Sequence, residues 1–75
     1  MNFSVGVFNI DVRRCVRELG DQWDEQGTGI SADFAEVIYF DYPNCSSIEM
    51  VEKKVENQFP ESKGFRIDFI KSFED

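Results

Sequence analysis

Residues 46–73 read SSIEMVEKKVENQFPESKGFRIDFIKSF, and this stretch decides the fold. Its first half has the pattern of a helix, because Ser46 and Glu49 stand at capping-box spacing ahead of an apolar stripe. The stripe consists of Ile48, Val51, Val55 and Phe59. Pro60 ends the helix, and a turn at residues 62–64 leads into the alternating residues 65–73, which predict a strand. We expect one face of that strand to carry Phe65, Ile67, Phe69 and Phe73.

The N-terminal residues repeat this combination in the opposite order. Residues 2–8 alternate, with Phe3, Val5 and Val7 on one side, as in a half-buried strand. A helix over about residues 11–19 follows, with Asn9 or Asp11 as its cap and Gly20 at its end. Its apolar stripe is predicted to be Val12, Cys15, Val16 and Leu19.

The middle of the chain leaves two topologies open. Residues 34–42, FAEVIYFDY, predict a central strand that is covered on both faces or partly exposed at an interface. Residues 21–33 are polar and predict a loop, or a short edge strand over residues 21–26. With that strand the order is βαββαβ, a ferredoxin-like sandwich with two helices on one face of a four-stranded sheet, which we favour. Without it, a three-stranded sheet with two right-handed crossovers remains.

Length and composition predict a single α+β domain over residues 1–75. Eight Phe and a single Leu favour strands over a helical bundle, and so short a chain has a small core, for which dimerisation is a natural additional support. Cys15 and Cys45 are expected to be small buried hydrophobes. The sequence has no leader-like start and no apolar run of about 18 residues, which predicts a cytoplasmic protein that neither spans nor binds a membrane.

The residue types needed for common catalytic devices are missing. There is no histidine, which excludes Cys-His and Ser-His arrangements and removes the commonest metal ligand. Gly27 and Gly29 do not follow a buried strand, so a phosphate-binding loop is not expected. Asp21, Asp24 and Glu25 form the densest acid group, but their spacing is not that of a calcium loop. We therefore predict no catalytic, cofactor or metal site, and a protein that is not an enzyme.

Charge is distributed unevenly along the chain. Of the fifteen acids that give a net charge of −7, nine lie in residues 18–52, which contain no Lys or Arg. Such segregation attracts a basic surface or serves solubility, and in the predicted fold these acids could form one continuous face. Aromatic residues among the acids can serve as anchors, and Trp23 is the best candidate for an exposed one. The predicted partner-binding residues are Asp21, Trp23, Asp24, Glu25, Asp33, Glu36 and Asp41.

A basic protein surface is the expected partner, and such surfaces commonly hold nucleic acid. The favoured hypothesis is therefore a small inhibitor from a phage or mobile element that mimics nucleic acid and blocks a host defence nuclease or CRISPR effector complex, without itself binding nucleic acid. An immunity protein or antitoxin that neutralises a toxic ribonuclease requires the same physics. An RNA-binding sheet that uses Arg13, Arg14 and Arg17 is a third hypothesis, although Arg13 and Arg17 are expected to pair with Asp21 or Glu18. A metal-assisted nuclease is a fourth.

Overall fold

The computed structural model describes residues 1–73, which form a small α+β domain. Three strands, β1 (Asn2–Asn9), β2 (Ile38–Tyr42) and β3 (Phe65–Phe73), make an antiparallel sheet in the order β2-β1-β3. The helices are α1 (Ile10–Arg13), which continues as a π-helical turn over Arg14–Glu18, α2 (Glu25–Thr28) and α3 (Ile48–Gln58). Short 3-10 turns occupy Ala32–Ala35 and Glu61–Lys63.

The core lies on one face of this sheet, which we call the first face. The alternation in β1 buries Phe3, Val5 and Val7 against Val51 and Val55 of α3, as the sequence predicts. A group of rings closes the core at the end of the sheet where β1 ends. It consists of Phe34, Phe40, Phe59 and Phe65, whose contacting ring centroids are 4.8–6.3 Å apart.

The start of α3 differs by one residue from the predicted capping box. Ser47, not Ser46, is the N-cap, and its hydroxyl accepts a hydrogen bond from the Met50 amide at 3.2 Å. Two adjacent serines offer equivalent caps, so the sequence pattern does not fix the register. Of the predicted stripe, Val51 and Val55 are buried and Phe59 is half-buried, whereas Ile48 is 48% exposed.

A bulge in β3 divides the predicted apolar face between the two sides of the sheet. Ile67 pairs with Val7 and Phe69 with Gly6, so Asp68 is an extra residue in the β3 ladder. Phe65 and Ile67 therefore lie on the first face, while Phe69 and Phe73 lie on the opposite, second face. Ile70, which pairs with Val5, packs against the core in their place.

The middle strand and the polar segment also differ from expectation. β2 covers five residues instead of nine and is an edge strand, because β1 occupies the centre of the sheet. Residues 21–26 form no strand, and Glu25–Thr28 makes a helical turn that ends at Gly29 in the left-handed conformation. Asp24 caps this turn, so a local side-chain interaction replaces sheet pairing. Among residues 1–73, the fourth strand of the favoured sandwich is therefore absent.

The apolar stripe predicted for the first helix is only partly buried. α1 contacts the Ala32–Ala35 turn and the ends of β1 and β3, and Val12 is buried there. The π-helical turn then has more residues per turn than the assumed 3.6, which rotates the apolar stripe away from the core. Val16 and Leu19 are consequently 41% and 63% exposed.

The molecule is elongated. Its extents are 40 × 18 × 16 Å, and its radius of gyration of 13.5 Å exceeds the roughly 11 Å expected for a compact chain of this length. None of the helices in residues 1–73 has the length and apolar character needed to cross a bilayer.

Candidate protein interface

Residues 21–33, which we call the acidic tip, lie at the end of the sheet where β1 ends. Ile30 of the tip, and Phe34 directly after it, pack against the core. A cavity between the tip and the end of α3 is lined by Ile30, Phe34, Phe59 and Phe65. The tip is thus anchored by apolar contacts on one side, which leaves its carboxylates on the other side in solvent.

Two of the tip's carboxylates hold its backbone. Asp24 Oδ1 accepts a hydrogen bond from the Gly27 amide at 2.9 Å, and Glu25 Oε1 accepts one from the Ala32 amide at 3.1 Å. Both side chains belong to exposed residues, so their charges still face water. These bonds give a segment without strands a defined shape.

Trp23 joins the two ends of the tip. Its indole N–H donates to the Ile30 carbonyl oxygen at 2.9 Å, and the residue is half-buried. Trp23 also lines an open cleft together with Val16, Asp21, Gln22, Glu25 and Ala32. Trp23 is therefore a brace within the tip, and the cleft beside it contains the acidic residues Asp21 and Glu25.

Within the part of the chain that the structure describes, the carboxylates of the tip have no basic partner. Among residues 1–73, the ion pairs are Arg14 with Glu18 and Arg17 with Glu36. Asp21, Asp24, Glu25 and Asp33 are all exposed, and none of them pairs with a Lys or Arg of the described chain. The tip therefore carries four uncompensated negative charges within thirteen residues.

The remaining predicted interface residues do not extend the tip as one surface. Glu36 is paired with Arg17, and the hydrogen bond from that guanidinium lowers the pKa of Glu36 below its ordinary value. Asp41 pairs with Ser4 in the sheet and lies on the second face, whereas Glu49 and Glu52 belong to α3 on the first face. The acids after residue 33 are thus distributed over opposite sides of the sheet.

The three arginines of the first helix each have an internal role. The Arg13 guanidinium lies 3.9 Å from the centroid of the Phe8 ring, and its Nε donates to the Ala35 carbonyl oxygen at 2.9 Å. Arg14 pairs with Glu18 and Arg17 with Glu36, so the expected pairing of Arg13 and Arg17 with Asp21 or Glu18 is wrong. The arginine cluster is therefore not a free basic patch.

An aromatic pair on the second face was missed by the sequence analysis. The rings of Tyr39 and Phe69 lie 5.4 Å apart, and the two residues are 63% and 36% exposed. They approach β1 at Gly6, where an added Cβ would meet Phe69 Cε1 at 2.7 Å. A glycine in the middle of a strand pattern signals such a close approach, and Gly6 was the available clue.

The polar groups of the described chain do not converge as a metal centre. Within residues 1–73, no three Cys, Asp or Glu side chains lie together as metal ligands. Cys45 is buried, and Cys15 is half-buried with its Sγ 3.7 Å from the Asp21 carbonyl oxygen. Cys45 thus lies in the core as expected, whereas Cys15 is only partly covered.

Comparison of the chain with protein-family models, with curated proteins and with solved structures found no match. The features that bear on function are therefore the surfaces of the molecule. Two of them stand out: the acidic tip and the exposed rings of the second face.

Proposed function

We propose that this protein is a small inhibitor that binds the basic, nucleic-acid-binding surface of another protein through its acidic tip. The targets of this chemistry include a host defence nuclease or CRISPR effector complex, opposed by a phage or mobile element, and a toxic ribonuclease, opposed by its immunity protein. In each case the tip takes the place of nucleic acid. The protein itself performs no reaction in this proposal.

The observation that carries the proposal is the absence of cationic partners for the tip's carboxylates within residues 1–73. Four like charges in a short segment repel one another, and no Lys or Arg of residues 1–73 pairs with them to offset that repulsion. A basic groove offsets it on binding, and it attracts the tip over long range before contact. Trp23, which is half-buried and lines a cleft with Asp21 and Glu25, adds an aromatic contact among the charges.

The shape of the tip favours recognition over simple solubilisation. The carboxylates of Asp24 and Glu25 accept hydrogen bonds from backbone amides, and the Trp23 indole donates one to a backbone carbonyl. These bonds fix the backbone of the tip, so its charges hold a defined arrangement before binding. A preorganised segment loses less conformational entropy when it binds, which increases affinity. Charges that serve only solubility need no such arrangement.

A pull-down from host lysate at about 50 and 500 mM salt tests this proposal, because salt screens the contacts of an exposed acidic segment. We expect capture of a nucleic-acid-handling protein at low salt, loss of that protein at high salt, and its release by added DNA or RNA. Capture of the same protein at both salt concentrations without release by nucleic acid would contradict the proposal.

A charge-altered tip provides the sharper version of the experiment. Asp24→Asn and Glu25→Gln remove charge but retain the oxygen acceptors that hold the backbone, and Asp21→Lys and Asp33→Lys reverse the other two charges. A matched control carries Glu52→Lys, Glu56→Lys and Asp68→Lys, which change the net charge by the same six units outside the tip. Only the tip variant should lose the partner. Equal loss in both variants would show that net charge, and not the tip, attracts it.

The second face favours a second candidate function, the binding of single-stranded nucleic acid. Exposed rings such as Tyr39 and Phe69 can stack on bases, and Lys71 projects from the same face of β3. The engagement of Arg13, Arg14 and Arg17 within the protein, together with the net charge of −7, weakens this candidate. A gel shift with single-stranded RNA at low salt, abolished by Tyr39→Ala, would favour it over the acidic-tip proposal.

A further inference from the structure

In the described sheet, the outer edge of β2 is the strand edge that lacks features known to prevent pairing with another strand. β2 ends the sheet on one side, and among residues 1–73 no segment pairs with its outer edge. Strand edges with free backbone groups pair with other strands unless charges, bulges or prolines prevent it. β3, the opposite edge strand, has such protection in its bulge at Asp68 and in the charges of Arg66 and Lys71. β2 reads IYFDY, with no bulge in its pairing and a single charge.

The surroundings of β2 provide room for an added strand. An open cavity of about 490 Å³ lies between β2 and α3, and it is lined by Phe40, Tyr42, Lys54 and Gln58, among others. Phe40 and Tyr42 belong to the first face of β2, so alternate side chains of a strand added beside β2 would enter this cavity. Tyr39 and Asp41 lie on the second face and are exposed. An added strand would place cross-strand neighbours on their outer side.

We propose that a second copy of this chain occupies this edge, with β2 paired antiparallel to β2 of its partner about a two-fold axis at Phe40. In this register each Tyr39 lies opposite Asp41 of the other copy, and each Ile38 lies opposite Tyr42. Asp41, the single charged residue of β2, therefore does not lie opposite Asp41 of the other copy, which makes β2 complementary to its own copy. The two sheets become one sheet of six strands.

The small core gives this pairing a stabilising role. The largest fully buried side chains in the described chain are five valines, Asn9 and Cys45, so the protomer buries no large ring completely. Dimerisation covers more of the half-buried Phe40 and of the exposed Tyr39, and it removes an exposed edge. Five residues on each side form a small interface, and we expect a dimer that dissociates in the range of roughly 10–100 μM.

Sedimentation equilibrium tests the dimer and its register together. Tyr39→Glu places a carboxylate opposite Asp41 of the partner at two symmetric positions, whereas Tyr39→Gln removes the same ring without adding charge. We expect Tyr39→Glu to raise the dimer Kd about tenfold above that of Tyr39→Gln, and Tyr39→Glu with Asp41→Lys to restore it to within about threefold. Lys71→Glu, at the opposite edge of the sheet, should leave the dimer Kd unchanged.

Salt separates this association from binding by the acidic tip. Each copy carries a net charge of −7, so the copies repel, and the dimer should strengthen between about 50 and 500 mM salt, where capture by the acidic tip weakens. A monomer at concentrations up to about 1 mM would overturn the proposal, since the expected Kd lies well below that value. Equal Kd values for Tyr39→Glu and Tyr39→Gln, or no rescue by Asp41→Lys, would overturn it as well. Far-UV circular dichroism of each variant verifies that its fold is retained.

Discussion

The side-chain amide of Asn9 donates a hydrogen bond to the Lys63 carbonyl oxygen at 3.0 Å, although 54 residues separate the two in sequence. The same side chain accepts hydrogen bonds from the Asp11 and Val12 amides, and it is fully buried. Asn9 thus caps the first helix and connects the end of β1 to the turn before β3. A parallel hydrogen bond, 2.8 Å from the Ile10 amide to the Gly64 carbonyl oxygen, reinforces the connection.

Replacement of Asn9 should therefore destabilise the whole domain. Asn9→Ala removes a helix cap and leaves polar groups without partners in a buried position, at an expected cost of about 2–4 kcal/mol. Ser47→Ala is the matched control, because Ser47 caps α3 at an exposed position and should cost about 1 kcal/mol. Urea denaturation measures both values. Equal costs would show that the Lys63 contact contributes nothing.

Gly64 should not tolerate a side chain. It has a φ of 95°, and an added Cβ would lie 2.8 Å from Asn9 Oδ1. Gly64→Ala therefore combines backbone strain with a clash at the buried cap, and we expect a loss of about 2–4 kcal/mol in urea denaturation. Gly20 shares the positive φ but has no atom within 4 Å of the added Cβ, so Gly20→Ala should cost about 1 kcal/mol. A larger loss for Gly20→Ala would contradict the clash as the cause.

Gly6 and Phe69 should show coupled effects on stability. An added Cβ at Gly6 would meet Phe69 Cε1 at 2.7 Å and Val37 Cγ1 at 2.8 Å, so Gly6→Ala should displace the Phe69 ring at a cost of about 1–3 kcal/mol. In a Phe69→Ala background part of that clash disappears. The double-mutant cycle, measured by urea denaturation, should give a coupling of about 0.5–2 kcal/mol. Additive effects would mean that the two residues do not interact.

Glu36 should carry a pH-dependent part of the stability. The hydrogen bond and charge of Arg17 lower the pKa of Glu36 in the folded state. This contribution to stability is fully present above the pKa that Glu36 has in the unfolded chain. It is lost as the pH falls through the lower pKa that Glu36 has in the folded protein. An NMR titration of the Glu36 carboxyl should show its pKa rising in Arg17→Ala. Arg14→Ala, which breaks the separate Arg14–Glu18 pair, should leave the Glu36 titration unchanged.

Trp23 should act as a brace of the acidic tip. Trp23→Phe keeps a ring but loses the indole N–H that bonds to Ile30, so amide hydrogen exchange of residues 24–32 should accelerate. The amides of β1 serve as the internal reference and should retain their protection. Unchanged exchange in the tip would assign its order to Asp24 and Glu25 instead.

Strand positions were predictable from the sequence where one local pattern dominates. The alternation in residues 2–8 and 65–73 predicted β1 and β3 nearly to the residue, and the stripe of Val51 and Val55 predicted the buried side of α3. The faces of β3 were not predictable, because the bulge at Asp68 arises from pairing with β1 and leaves no mark in the alternation.

The acidic segment was recognisable by charge, but its geometry was not. Glu36 is the partner of Arg17, 19 residues away, and this contact forms only when the chain folds, whereas Asp24 caps its helical turn through a local bond to Gly27. The same limit applies to β2, whose apolar residues on both alternating sets indicated a central strand. Edge strands with exposed aromatic residues produce the same pattern, so composition alone does not locate a strand within its sheet.

The position of β1 at the centre of the sheet has a consequence for synthesis. The ribosome makes β1 first and β3 last, so Phe3, Val5 and Val7 emerge well before Phe65–Phe73, their partner strand. At about 5–20 residues per second, the intervening chain takes several seconds to translate. During that interval β1 can pair with β2 on one side, while its other edge has no partner strand on the nascent chain. The sheet is therefore expected to be completed only after β3 has left the ribosome, and chaperones that hold nascent chains should bind near β1 until then.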